Sequence, residues 1–275
     1  MLIVDSQVHV WAADTPERPW TKGAKPHRPE PFGADALLRE MSAAGVDRAI
    51  LVPPSFDGGL NDIAFAAAEA HPDKFAVMGK LDPDAAHPRR ELAAWRADPG
   101  MLGVRINFKT NPDNLSSGRM NWVWEVAEKK AIPMYVGVTH SDVHYVDAIA
   151  ERHPELTLIL DHMALASGAK DDEAFRDLDK LLAIAKRPNV GVKVSALPDY
   201  TTEAYPHSSL HPYVRRVYDA FGPKRMFWGS DLTRLKGSYR QCVTLFTEEM
   251  SWLSSADLEW IMGRALCDWL RWDMP

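Results

Sequence analysis

Cysteine is scarce in this 275-residue chain, which holds only Cys242 and Cys267. Two thiols cannot build a disulfide framework, and their spacing is not that of a metal site. Both fall in stretches that read as helix, so buried structural thiols are expected. No charged leader with a short apolar segment precedes the first strand pattern, and no apolar run approaches the ~20 residues that span a bilayer. A cytoplasmic protein with no membrane partner is therefore expected. The net charge of -6 comes without a Lys/Arg run able to track phosphates, which argues against a nucleic-acid partner. No tight Gly-rich turn follows the first strand, so the dinucleotide-binding fingerprint is missing too. Internal repeats, low-complexity stretches and linkers are also lacking, and a single domain over residues 1–275 is expected.

What is present is regular alternation. After the first strand, apolar and often β-branched bursts recur at 46–52, 75–81, 102–108, 132–139, 156–163, 190–197 and 225–231. Helical stretches at 34–44, 61–70, 89–97, 120–130, 142–152, 172–186 and 212–221 separate them, and two more at 239–250 and 255–270 close the chain. Gly45 stands where a helix C-cap is expected. Strands alternating with helices imply parallel pairing through right-handed crossovers. Eight such units in ~250 residues predict an α/β fold, a (β/α)8 TIM barrel. One connection is unlike the others. Residues 12–31 carry Pro16, Pro19, Pro26, Pro29 and Pro31 and read as a long loop, a length that usually belongs to a lid.

The first strand places Asp5, Gln7 and His9 on one face and Ser6, Val8 and Val10 on the other. A row of polar side chains on a buried strand is costly unless something binds it. An edge strand with one wet face would satisfy the same pattern, so the other strand ends must decide. Strand four carries Arg105 and Asn107, strand five ends at Thr139-His140, and strand six ends at Asp161-His162. Strand seven holds Lys193 and Ser195, and strand eight ends at Gly229-Ser230-Asp231. Singly, each fits a core histidine, an ion pair or a helix cap. Together they mark the C-terminal rim of the barrel, where this architecture places its active sites.

These motifs resemble the amidohydrolase superfamily. Asp5-x-Gln7-x-His9-x-Trp11, Ile159-Leu-Asp161-His162, Val192-Lys193-Val-Ser195 and Arg225-Met-x-Trp228-Gly229-Ser230-Asp231 look most like its "amidohydrolase 2" branch of sugar lactonases, 2-pyrone-4,6-dicarboxylate lactonases and related decarboxylases and hydratases. The resemblance spans the whole chain. It implies a (β/α)8 barrel with a mononuclear metal site in many members and none in several lactonases. The departure is on strand one, where Gln7-x-His9 replaces the family's usual His-x-His. A neutral amide is a poor ligand for zinc-type ions, so a site without a cofactor is expected. The alternative is one zinc or manganese ion held by His9, His162 and Asp231.

The expected activity is hydrolysis of a carboxylated lactone, a small molecule of aromatic or sugar catabolism. Asp231 would activate water, while His162, His9 and the Gln7 amide would stabilise the oxyanion. Arg105 would fix a substrate carboxylate through its planar fork, and Trp11, His140 and Lys193 would also contact substrate. A metal-dependent decarboxylase of an aromatic or unsaturated acid is the alternative enzyme, and a non-catalytic ligand-binding relative is the alternative outside catalysis. The Trp-rich C-terminus, with Trp252, Trp260, Trp269 and Trp272, leaves a homo-oligomer open.

Overall fold

The computed structural model describes residues 1–28, 30–58, 60–235 and 237–274. Pro29 of the long loop thus lies outside the described residues. Eight strands, β1 (Val4–Val8), β2 (Arg48–Leu51), β3 (Phe75–Lys80), β4 (Met101–Asn107), β5 (Met134–Gly137), β6 (Leu158–Leu160), β7 (Val190–Ser195) and β8 (Met226–Gly229), pair in parallel in sequence order. Helices lie between them, and the arrangement is the expected (β/α)8 barrel. The strands are shorter than the apolar runs that announce them, because the last residues of each run already turn out of the ladder. His162 and Asp231, at the ends of the sixth and eighth runs, have φ of 48° and 51°, a left-handed conformation that side chains rarely adopt.

The helices keep their predicted places with local breaks. Gly45 caps Ala34–Ala44 at φ 78°, its amide reaching back to Met41 and Ser42 carbonyls. Residues 172–186 divide into Asp171–Phe175, Leu178–Ala183 and a final tight turn Ile184–Lys186. The two closing helices each contain a widened turn, at Leu245–Glu249 and Trp260–Arg264. Cys242 and Cys267 are both free and buried. No described helix is long and apolar enough to cross a membrane.

The main core packs the outer faces of the strands against the helices. A second cluster, including Ile50, Met78, Tyr135, Ile159 and Phe227, meets Leu266 and Leu270 of the last helix. Full burial of side chains of this size contributes about 1.5–3 kcal/mol each.

The seam between β8 and β1 depends on Asp5. The alternation expected of β1 is broken, because its register against β2 slips between Asp5 and Val8. Asp5 therefore leaves the face shared by Gln7 and His9 and turns to the seam. Its carboxylate accepts from the Gln7 amide (3.0 Å), the Ser230 amide (2.9 Å), Tyr239 Oη (2.6 Å) and Ser230 Oγ. The Asp231 amide also donates to the Gln7 carbonyl at 3.0 Å. The approach is close enough that a Cβ at Gly229 would lie 2.3 Å from Ser6 Oγ, so only glycine fits there.

Burial pushes the Asp5 carboxyl up to about 6, against four hydrogen bonds that favour its charge. The folded value exceeds the unfolded one of ~3.9. The stability linked to this proton is therefore complete below about pH 4 and is lost as pH rises through about 6. Asp5→Asn should cost about 2 kcal/mol at neutral pH in denaturant unfolding, from donors left unpaired. Its deficit relative to wild type should widen on going from pH 6.5 to pH 4. A deficit that shrinks over that interval would contradict burial as the dominant influence on Asp5.

Candidate active site

A pocket of about 540 Å³ opens at the C-terminal ends of the strands. Gln7 and His9 enter it from β1, Arg105 and Asn107 from β4, His162 from the turn after β6 and Asp231 from the turn after β8. Residues 21–27 of the long loop and Pro54 to Phe56 form part of its wall. The loop is held there by Arg18, which pairs with Asp57 (2.5 Å) and Asp62 (2.7 Å), and by the Thr21 amide on the Phe56 carbonyl at 2.8 Å.

At the base of the pocket, His9 Nε2 lies 3.2 Å from Asp231 Oδ1, and His162 Nε2 lies 3.5 Å from Asp231 Oδ2. The other ring nitrogens are anchored. His9 Nδ1 meets the Val52 carbonyl at 2.5 Å, which requires a hydrogen on Nδ1, and His162 Nδ1 meets Ser195 Oγ at 2.7 Å. Asp231 Oδ1 is buried and has no well-aligned hydrogen bond. Burial works against the charge of Asp231, but His9, His162 and Arg234 outweigh it and hold the carboxyl far below the usual range. Burial also keeps the His162 ring neutral, well below the ordinary imidazole range, against the pull of Asp231 and Asp161.

Gln7 completes the base, and its orientation can be deduced. Lys193 Nζ bonds Gln7 Oε1, and an ammonium only donates, so the oxygen must face the lysine. The amide NH2 is thereby turned to the histidines, with Nε2 at 3.4 Å from Nε2 of both His9 and His162. An NH2 group donates and cannot coordinate a cation. Among the described residues, no group of three His, Cys, Asp or Glu side chains is arranged to hold a metal ion. His9, His162 and Asp231 converge, but the space they face is met by amide hydrogens, and the donor set does not fit a metal.

Three residues expected at the substrate lie elsewhere. Lys193 is fully buried. It pairs with Asp161 Oδ1 at 2.6 Å and lies 3.8 Å from the centre of the Tyr135 ring, so it reaches the pocket indirectly, through Gln7 and through the Asp161 it shares with Arg105. Trp11 is fully buried too, its ring against Phe32 (5.1 Å) and Phe56 (5.6 Å), while its main chain bridges to Phe32. It supports the base of the loop. His140 lines a separate cavity with Val143 and Ile184. Its Nε2 meets the Met163 carbonyl at 3.0 Å, which ties down the strained turn that carries His162.

Other residues were not anticipated. Lys109 and Arg234 line the pocket, as do Lys22 and Lys25 of the loop. Lys109 shares the parity of Arg105 and Asn107 and could have been found by extending the strand by two residues. The loop lysines carry no such signal.

A parallel barrel with two histidines, a buried carboxylate and basic side chains at its C-terminal rim has the layout of a barrel hydrolase. The amidohydrolase family model matches residues 4–265, and the chain belongs to that family. It is 28% identical over 256 residues to an L-fucono-1,5-lactonase of Burkholderia ambifaria, covering 86% of this chain and 82% of that one. It is 24% identical over 236 residues to a 4-sulfomuconolactone hydrolase of Hydrogenophaga intermedia, covering 82% and 73%. The fold superposes on a Burkholderia multivorans amidohydrolase crystallised with bound zinc, with a TM-score of 0.81, 24% identity and coverage of 98% and 99%.

Lys193 tests this geometry. Lys193→Met should destabilise the protein by about 3–5 kcal/mol, because Asp161 loses a buried partner. In the folded fraction, kcat should fall while KM changes little, since the Gln7 amide is released whereas Arg105 keeps its own bond to Asp161. A raised KM with unchanged kcat would instead make Lys193 a substrate contact.

Proposed function

We propose that this protein hydrolyses a carboxylated lactone without a metal ion. The observation that carries the reading is Asp231 Oδ1, an ionised, buried carboxylate oxygen free of a well-aligned partner beside two imidazoles. A carboxylate this strongly held in its charged form orients water well but is by itself a weak proton acceptor. The 3.2 Å approach of His9 supplies the missing basicity. With Nδ1–H on the Val52 carbonyl and Nε2 toward Asp231, the ring can carry a second hydrogen with both nitrogens facing acceptors. Asp231 and His9 thus act as one pair that takes the proton of the attacking water.

The hydroxide equivalent adds to the lactone carbonyl carbon, and the oxyanion meets the Gln7 NH2 and His162. With Ser195 donating to Nδ1, the neutral His162 ring carries its hydrogen on Nε2, directed at Asp231 Oδ2 (3.5 Å) rather than at the Gln7 NH2, and shares it with the oxyanion. Such donors, fixed before reaction, contribute about 2.7–4 kcal/mol each in comparable sites. The acyl–oxygen bond then breaks, and the alkoxide or enolate oxygen recovers the proton from the pair. A hydroxy acid or its keto form results. A lactone needs less electrophilic help than an amide, which is consistent with hydrogen bonds in place of a Lewis acid. Arg105 spends its Nε–H on Asp161 at 2.7 Å and offers the rest of its fork to the substrate carboxylate. The relatives named as lactonases support this reading, and the free buried thiols agree with a reducing cytoplasm.

Asp231→Asn should abolish turnover of an active lactone, by about a thousandfold or more, with binding retained. Arg105→Ala should mainly raise KM, by about tenfold or more. Purified protein should hold well under one equivalent of zinc or manganese and keep its activity after chelation. One equivalent of metal with activity lost on its removal would overturn the mechanism, and release of CO2 from an aromatic acid would establish the decarboxylase instead.

A further inference from the structure

Another cavity, of about 690 Å³, lies at the end of the barrel opposite the active site. Its wall is built from residues leading into β2, β3 and β4 and from Arg271 to Asp273, just past the helix Ala265–Leu270. Arg48, Arg96 and Arg271 all line it, and the bonds they make run to neutral groups. Arg48 is buried, donates to the Asp73 and Asp273 carbonyls at 3.0 and 2.6 Å, and lies 4.7 Å from the centre of the Trp272 ring. Arg96 donates to the Ala131 carbonyl at 3.3 Å, which leaves most of its fork free. Among the described residues, none of the three forms an ion pair with a carboxylate. Asp98 stands in the same wall but turns Oδ1 to the Gly100 amide at 3.1 Å, and Glu69 and Asp273 are exposed to solvent.

Two features show that these arginines are held in place at a cost. Arg271 caps its helix at φ 54°, a left-handed position where glycine or asparagine is the usual choice. A basic residue one turn earlier would serve the negative end of that helix equally well without the strain. Burial, and after it the charge of Arg271, pushes the Arg96 guanidinium below its ordinary range, so two like charges are kept close together. We propose that this cleft binds a small phosphate monoester, whose dianionic group bridges Arg96 and Arg271. Arg48 supplies a third positive charge from beneath, and Phe65, Pro72 and Pro99 of the same wall offer apolar surface to the organic body. Guanidinium forks match phosphate oxygens in pairs, and a dianion answers both free arginines where a lone carboxylate would answer one. The ligand would tie the segment after the last helix to the turn before β4. It would do so far from Asp231, so the site is independent of the lactonase reading.

The test is titration calorimetry of the full chain with phenyl phosphate, inorganic phosphate and phenol. Because the active-site pocket is also basic, each probe is titrated into wild type, Arg105→Ala and the Arg96→Gln/Arg271→Gln double variant. Phenyl phosphate should bind wild type and Arg105→Ala alike, and the double variant at least about tenfold more weakly. Inorganic phosphate should bind more weakly than the ester through the same two arginines, and phenol should not bind. The Arg96→Lys/Arg271→Lys variant keeps both charges without the forks and should fall between wild type and the glutamine variant. Saturating phenyl phosphate should raise the Tm of wild type by several degrees and leave that of the glutamine variant unchanged. Affinity should weaken as salt is raised. Binding that survives in the glutamine variant, or that is lost in Arg105→Ala, would place the probe elsewhere and overturn the proposal. Phenol binding as well as the ester would also overturn it, and so would free phosphate binding as tightly, which would leave no role for an organic body.

Discussion

The carboxylate of Asp161 is the charge on which the rest of the site depends. It is fully buried and takes Lys193 at 2.6 Å and Arg105 at 2.7 Å. Burial opposes its ionisation, but the two cations prevail and hold the carboxyl far below its usual range. Burial pushes the Lys193 ammonium toward its neutral form and Asp161 opposes that, since an uncompensated buried ion costs several kcal/mol. Each cation then does separate work above. Lys193 fixes the face that Gln7 shows to the histidines, and Arg105 brings a half-satisfied guanidinium to the pocket wall. A pair that adds little net stability can still decide which way an amide points.

The turns that deliver the reacting groups add a second constraint. His162 and Asp231 both stand at positive φ where their strands end. A non-glycine residue in that conformation costs of order 1 kcal/mol, and it persists because neighbours determine it. The Asp231 amide is bonded to the Gln7 carbonyl, and Ser230 is bound to Asp5. His140 and Ser195 secure the turn of His162 from below. Two of the strained positions are thus residues assigned to chemistry, and hydrogen bonds from or just past three other strands, β1, β5 and β7, sustain them.

Much of this was legible in the sequence. Eight alternations of strand and helix are a long-range signal that short breaks, such as the one between Phe175 and Leu178, do not erase. The site residues whose side chains end their strands, Gln7, His9, Arg105, His162 and Asp231, come together in the pocket. Parity failed in particular places. Asp5 follows the same alternation as Gln7 and His9 in sequence, yet a slip in β1 register sends it to the seam. Lys193 does project into the barrel as parity requires, but one layer too low to meet a ligand. Alternation reports which face a side chain takes and carries no information on depth. Trp11 and His140 follow the strand ends closely, where packing of the loops decides. The loop lysines were beyond reach because their place over the pocket is set by Arg18 on Asp57 and Asp62, contacts between segments some forty residues apart.

The zinc-bound Burkholderia multivorans neighbour shares the barrel with this chain, which has Gln7 where the family usually carries the first histidine of strand one. That single exchange alters what the base of the pocket can accept. An imidazole in that place would offer a lone pair to a cation, whereas an amide whose oxygen is taken by Lys193 offers hydrogens. Under the proposed mechanism, the positive character that a metal would lend is spread over NH2 hydrogens and a lysine one layer below. Charge delivered this way is weaker than that of a divalent ion at about 2 Å, so it suits carbonyls that are already activated. In that mechanism, the amide of Gln7 does at the substrate carbonyl what a bound cation would otherwise do.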